Sequence, residues 1–150
     1  DKSPYPWCHA GCLCGRHSTA PVRCGGGKPT IGYGSTFYAD GTPVKMDDPP
    51  IHRLDAIKLL RRVADQFAHS ASHLLKVDVN NNQFDALVSL AYNIGLGALK
   101  KSTVLKLVNK KAEPSPAIFR AWCMWKYIKG QRSPSLLSRR HREYDLYQTI

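Results

Sequence analysis

Thr30-Ile31-Gly32-Tyr33-Gly34-Ser35-Thr36 alternates larger residues with small ones. Phe37-Tyr38 follows, then an Asp40-Gly41 turn and Val44. A period of two broken by a turn signal is the pattern of a short antiparallel hairpin. The run therefore predicts a small sheet after Thr30, closed by Asp47-Asp48-Pro49-Pro50. Beyond it the period changes. Leu54, Ile57, Leu60, Val63, Ala64, Phe67, Ala71 and Leu74 recur at spacings of three and four. That spacing predicts an amphipathic helix over 53–75, with Arg53, Lys58, Arg61, Arg62 and Asp65 on its solvated face.

Punctuation divides the rest of the chain into helices. Asn80-Asn81-Asn82 can cap a helix whose buried stripe is Phe84, Leu87, Val88 and Ala91, with Gly95 and Gly97 at its end. Ser102 or Thr103 starts a short helix through Leu105 and Val108. Ser115-Pro116 and Ser133-Pro134 are each a cap followed by a proline in the first turn. The first opens a helix carrying Phe119, Trp122 and Cys123, stopped by Gly130; the second opens the last helix. The expected fold class is α+β: a small antiparallel sheet followed by a mainly helical lobe. Residues 1–29 hold four prolines and the Gly25-Gly26-Gly27 run, and predict no element.

A length of 150 residues suits one domain, and the composition is that of a globular chain. No apolar run approaches the roughly 18 residues of a membrane span, so no integral membrane segment is expected. The chain starts at Asp1, which reads as a processed or partial product, and no secretory signal is visible. Lys plus Arg number 22 against 11 acids, a net charge of +11 that favours anionic partners. The acids are unevenly placed: residues 2–39 contain none.

Cys8, Cys12, Cys14 and Cys24 crowd the first 24 residues, with His9 and His17 among them. The spacing gives one C-x3-C and one C-x-C, without a second pair at zinc-site distance. No metal and no cofactor are expected from it. Cys123, between Trp122 and Met124, reads as a buried thiol.

Four motifs now stand in order: Thr30 to Thr36; Asn82-Gln83-Phe84-Asp85-Ala86-Leu87-Val88-Ser89; Tyr92-Asn93-Ile94-Gly95; and Lys101-Ser102-Thr103. With Pro134 to Arg140 and Glu143, they resemble the phage-type lysozymes, the endolysins of glycoside hydrolase family 24, over residues 23–150. The resemblance implies a lysozyme-like fold that hydrolyses the β-1,4 bond between N-acetylmuramic acid and N-acetylglucosamine in peptidoglycan. It implies a monomer that acts on the cell wall after passing from the host cytoplasm, with no nucleic-acid partner. It also implies substrate binding by Tyr33, Asn93 and Arg139.

The family's catalytic signature is a Glu, eight residues, an Asp or Cys, five residues, then a Thr. Cys24 and Thr30 fit its second half. The acid would stand at position 15, which is Gly15. Glycosidic cleavage needs a proton on the leaving oxygen, normally from a carboxylic acid with a raised pKa. Glycine has none, His17 is two positions away, and Cys24 alone, as an unperturbed thiol, is a poor base near neutral pH.

Residues 1–22 also lack the apolar helix of the family, and are expected to be atypical, unfolded and protease-sensitive. Synonymous codons for Gly15 to Val22, read one base later, encode Glu-Gly-Ile-Arg-Leu-His-Arg-Tyr, a family-like segment with the acid restored. Translation out of frame before about Arg23 accounts together for the missing acid, the cysteines and the absent helix. Two other readings stay open. One is a non-catalytic peptidoglycan binder that uses Arg139, Arg140, Arg142, Lys100 and Lys101; the other is a zinc-dependent nucleic-acid binder, for which no motif is present. Trp122, Trp125 and Tyr127 suit either sugar stacking or the core.

Overall fold

In the computed structural model, which describes residues 18–23, 27–38, 40–128 and 130–149, the chain divides into two compact units. The boundary falls between Gln66 and Phe67, inside the first helix.

In the first unit, β1 (Ser18–Arg23) pairs antiparallel with β2 (Pro29–Gly32), with Val22 opposite Thr30 and Arg23 opposite Pro29. The register is irregular between Ser18 and Val22. This corrects the expected partner of the Thr30 strand, which is the segment before it. Among the described residues, Phe37 to Val44 contributes one isolated bridge, Phe37 with Pro43, and a second joins Ile31 to Ser35 before it. Residues 18–22, part of the segment expected not to fold as in the family, lie in β1. Pro21 is buried there, and the Thr30 hydroxyl donates to the Val22 carbonyl at 3.1 Å, so the strand has both a covered side chain and a cross-strand tie.

Gly32 sits at φ +65°, a conformation that costs a Cβ-bearing residue energy. An added Cβ would also lie 3.2 Å from the Ala56 Cβ, so the turn after β2 approaches α1 (Arg53–Leu74) closely. Ala56, Leu59, Leu60, Val63 and Ala64 form the buried face of α1 in this unit. Leu54, expected in that stripe, is 71% exposed. It precedes Ala56 by two residues, about 200° around a helix, and so faces away from the buried side.

The second unit is built on α2 (Asn81–Ile94) and α6 (Pro134–Tyr147), with α3 (Leu96–Lys101), α4 (Thr103–Lys110) and α5 (Pro116–Cys123). Its core contains Leu87, Leu90, Leu99, Val104, Val108, Ile118, Trp122 and Tyr147. The Trp122 ring meets Tyr147 at 5.3 Å and Tyr144 at 6.2 Å between centroids, tilted or edge-on as aromatic quadrupoles prefer.

The caps read from the sequence are in place. The Asn80 side chain accepts from the Gln83 amide at 2.7 Å, and the Gln83 side chain accepts from the Asn80 amide at 2.9 Å. Gln83 Nε2 then donates to the Ala112 carbonyl at 2.9 Å, which ties this cap to the chain after α4. Ser102, Ser115 and Ser133 cap α4, α5 and α6 through their hydroxyls.

Three details differ from the sequence expectation. Gly95 alone ends α2, and Gly97 lies inside a further helix, α3, that the sequence reading did not include. α5 ends at Cys123, and β3 (Tyr127–Ile128) with β4 (Gln131–Arg132) forms a hairpin. Gly130, at φ +80°, belongs to that hairpin's turn rather than to a helix stop. Cys123 is only half-buried.

The Asn80 box gives a direct test of this construction. Asn80→Ala should cost about 1 kcal/mol, and Asn80→Ser much less. Thermal unfolding should show the alanine variant about 2–4 °C below the parent.

Candidate active site

Thr30 is 3% exposed on β2, and its hydroxyl hydrogen is used on the Val22 carbonyl. The chain turns immediately after it. Reciprocal backbone bonds between Ile31 and Ser35, at 3.0 and 3.1 Å, close the Ile31-to-Ser35 loop. A second clamp lies nearby in sequence: Asp48 accepts from the Tyr38 hydroxyl and from the Lys45 amide, each at 2.8 Å. These two amide and hydroxyl donors hold the Asp48 carboxyl below the usual carboxylate range, the backbone bond contributing most. Tyr33, expected to bind substrate, is 7% exposed and packs among the buried residues of this unit. Gly15 and Cys24 lie outside the described residues.

A groove of about 760 Å³ also lies in this unit, lined by Tyr38, Asp40, Lys58, Arg61 and Arg62 among others. Among the described residues, none of the expected site residues lines it.

In the second unit the expected residues Asn93 and Arg139 fall on one buried network centred on Glu143. Arg139, Arg140 and Glu143 are 2%, 0% and 3% exposed. Glu143 Oε2 accepts from Arg139 Nε at 3.1 Å and from the Ser89 hydroxyl. Its Oε1 accepts from Trp122 Nε1 at 3.1 Å and pairs with Arg140 Nε at 2.8 Å. Arg139 Nη2 reaches the Ser89 carbonyl at 3.0 Å, and Arg140 Nη2 reaches the Asn93 side-chain oxygen at 2.9 Å.

The structure places Arg139, expected to bind substrate, with its guanidinium inside the second unit, bonded to Glu143 and Ser89. The expected basic surface loses Arg140 for the same reason, and retains Arg142, Lys100 and Lys101, which are exposed. Burial pulls the Arg140 pKa down to about 10, with Glu143 opposing that shift and Arg139 adding to it. It stays charged at neutral pH. The network was hidden in the sequence because a charged residue in a helix reads as solvated. The i, i+3 and i, i+4 spacing of Arg140 and Arg139 before Glu143 is the signal that marks it.

Of the three aromatic candidates for sugar stacking, Trp122 is fully buried and Trp125 packs half-buried against the core. Only Tyr127, 57% exposed, is free to meet a ligand.

Residues 15–143 match the family model described as Phage lysozyme. The chain is 41% identical over 120 residues to the endolysin of Bacillus phage B103, covering 80% of this chain and 43% of that protein. It is 38% identical over 122 residues to the endolysin of Salmonella phage P22, covering 81% and 80%. Thus it spans less than half of the first relative and four-fifths of the second. Among solved structures it is similar to an endolysin from Escherichia coli O157:H7 phage FAHEc1, with TM-score 0.77 and 31% identity over 98% of this chain and 93% of that one. It is also similar to the muramidase domain of SpmX from Asticaccaulis excentricus, with TM-score 0.78 and 26% identity over 100% and 97%.

Glu143→Gln should remove the one carboxylate between two buried guanidinium groups. Breaking a buried ion pair from one side costs about 3–5 kcal/mol. Urea unfolding should show a loss of that size, and a change under about 1 kcal/mol would contradict the role given to Glu143.

Proposed function

Since the chain belongs to the phage lysozyme family, with residues 15–143 matching its model, we propose that it engages bacterial peptidoglycan through the family's scaffold while hydrolysing it poorly as written. The single observation that carries the first half is the extent of the family match. The second half rests on Gly15 at the position of the acid.

The proposed reaction is hydrolysis of the β-1,4 bond between N-acetylmuramic acid and N-acetylglucosamine. A carboxylic acid protonates the glycosidic oxygen as the bond breaks, and a water attacks the sugar carbon. In the family assignment Cys24 and Thr30 serve the water. Thr30 supports that role through its fixed hydroxyl, whose hydrogen is already donated to Val22. Toward a water it acts as an acceptor, and so orients without delivering a proton. Nothing at position 15 can replace the acid.

The net charge of +11 favours the binding half of the reading. Peptidoglycan with its attached acidic polymers is an anionic surface, and Lys100, Lys101 and Arg142 remain exposed to meet it. Action at the cell wall, as a monomer and without nucleic acid, belongs to this same proposal. Among the described residues no helix is long and apolar enough to cross a membrane.

The test compares three full-length proteins: the parent, Gly15→Glu, and a chain with residues 15–22 replaced by Glu-Gly-Ile-Arg-Leu-His-Arg-Tyr. Purified cell-wall suspensions report hydrolysis by loss of turbidity, and co-sedimentation reports binding. The parent should sediment with the walls but clear them about 10²–10⁴-fold more slowly than the eight-residue replacement, the usual contribution of a positioned acid. Equal clearing by parent and replacement would show that position 15 is not the seat of the acid. Failure of both to sediment with walls would sink the peptidoglycan reading itself.

A further inference from the structure

His69 and His73 stand one turn apart on α1, both exposed and both in the second unit. Their ring centroids are 4.8 Å apart, with the rings nearly perpendicular at 86°. Their Nε2 atoms are closer, at 3.3 Å. The two rings therefore converge at their nitrogen ends rather than at their carbon edges.

That separation has a chemical meaning. Two Zn–N bonds of about 2.05 Å at the tetrahedral angle place their nitrogens about 3.3 Å apart. The same two atoms can instead share one hydrogen bond, but only with one imidazole as Nε2–H donor and the other as acceptor. Freeing both lone pairs for one ion needs a change of tautomer and no movement of the backbone.

Two features of the fold prepare the pair. The end of α1 is anchored to α4: Asn109 Nδ2 donates to the Leu74 carbonyl at 3.0 Å, and Asn109 Oδ1 accepts from the Lys76 amide at 2.8 Å. The helical register around His73 is thus fixed from outside the helix. His73 also lies in the last turn of α1, where the helix dipole favours positive charge.

We infer that His69 and His73 form a two-imidazole chelate for one divalent late first-row metal ion, with zinc matching the geometry and water completing its coordination. Copper should bind more tightly than zinc, following the general order of divalent affinities. The site is separate from the peptidoglycan chemistry: neither histidine belongs to the family signature. Its consequence is stabilisation, since an ion that needs two residues one helical turn apart binds the folded helix in preference to the unfolded chain.

Equilibrium dialysis against zinc chloride at about pH 7.5, where imidazole is mostly neutral, tests the inference on four full-length proteins. They are the parent, His69→Gln, His73→Gln and the double variant. Glutamine is helix-compatible and both positions are exposed, so far-ultraviolet circular dichroism should show all four equally helical. The parent should bind one zinc more than the double variant, and each single variant should bind that ion at least tenfold more weakly. Cysteine thiols and all other ligands are common to the four proteins and cancel in the comparison. Copper electron paramagnetic resonance should show coordination by two nitrogens in the parent that the double variant loses. Equal zinc number and affinity in parent and double variant would overturn the site. So would single variants that bind as tightly as the parent, because two independent imidazoles are not a chelate.

Discussion

Two guanidinium groups and one carboxylate share the interior of the second unit, and the arrangement of its helices follows from satisfying them. A buried charge left alone costs several kcal/mol, so each member must meet its partners in one geometry. Glu143 supplies that geometry by accepting from Arg139 on its own helix, Trp122 on α5 and Ser89 on α2, while Arg140 pairs with it by charge. The apolar contacts of Leu87, Leu90 and Tyr147 would tolerate small slides of α2 against α6. Hydrogen bonds from Arg139 to the Ser89 carbonyl and from Arg140 to Asn93 do not. The network sets the register, and the hydrophobic core supplies the bulk of the driving force.

This division explains what the sequence could reveal. Helix existence was legible because caps and periodicity are local: Asn80 with Gln83, Ser115 with Pro116, and Ser133 with Pro134 all act within one turn. The partner of β2 was not legible, because Ser18–Arg23 has no clear alternation of its own and gains its strand geometry from pairing. Leu54 misled because a heavily apolar stripe hides which edge of it faces solvent. Arg139 and Arg140 misled more seriously. Side-chain type states a charge but not its burial, and only the spacing to Glu143 hints that these arginines point inward. Of the formal charge of +11, two arginines less one glutamate leave +1 inside this network. The outer surface proposed to meet an anionic wall is therefore made by other residues, such as Lys100, Lys101 and Arg142.

The motif residues also separate by what they do. Ser89, Asn93, Arg139 and Glu143 come from three different stretches that suggested the family, yet they meet in one structural cluster. A family signature of this kind records the fold at least as much as the chemistry. Thr30 differs. It stands on a two-stranded sheet closed by backbone bonds, where a hydroxyl with a fixed hydrogen has little freedom to choose partners.

The consequence for the proposed reaction is one of proton direction. Cleavage of a glycosidic bond must move one proton onto the departing oxygen and remove one from the attacking water. A hydroxyl whose hydrogen already lies on the Val22 carbonyl can hold the water by accepting, which serves the second task alone. The first task needs a group that carries a proton at neutral pH and sits on the other side of the scissile bond. Glu143 does not offer it, because its carboxylate is buried and both of its oxygens accept from donors inside the second unit. The proposed reading therefore separates binding from bond cleavage: it assigns the first to surface charge and an intact core, and the second to a single side chain at position 15.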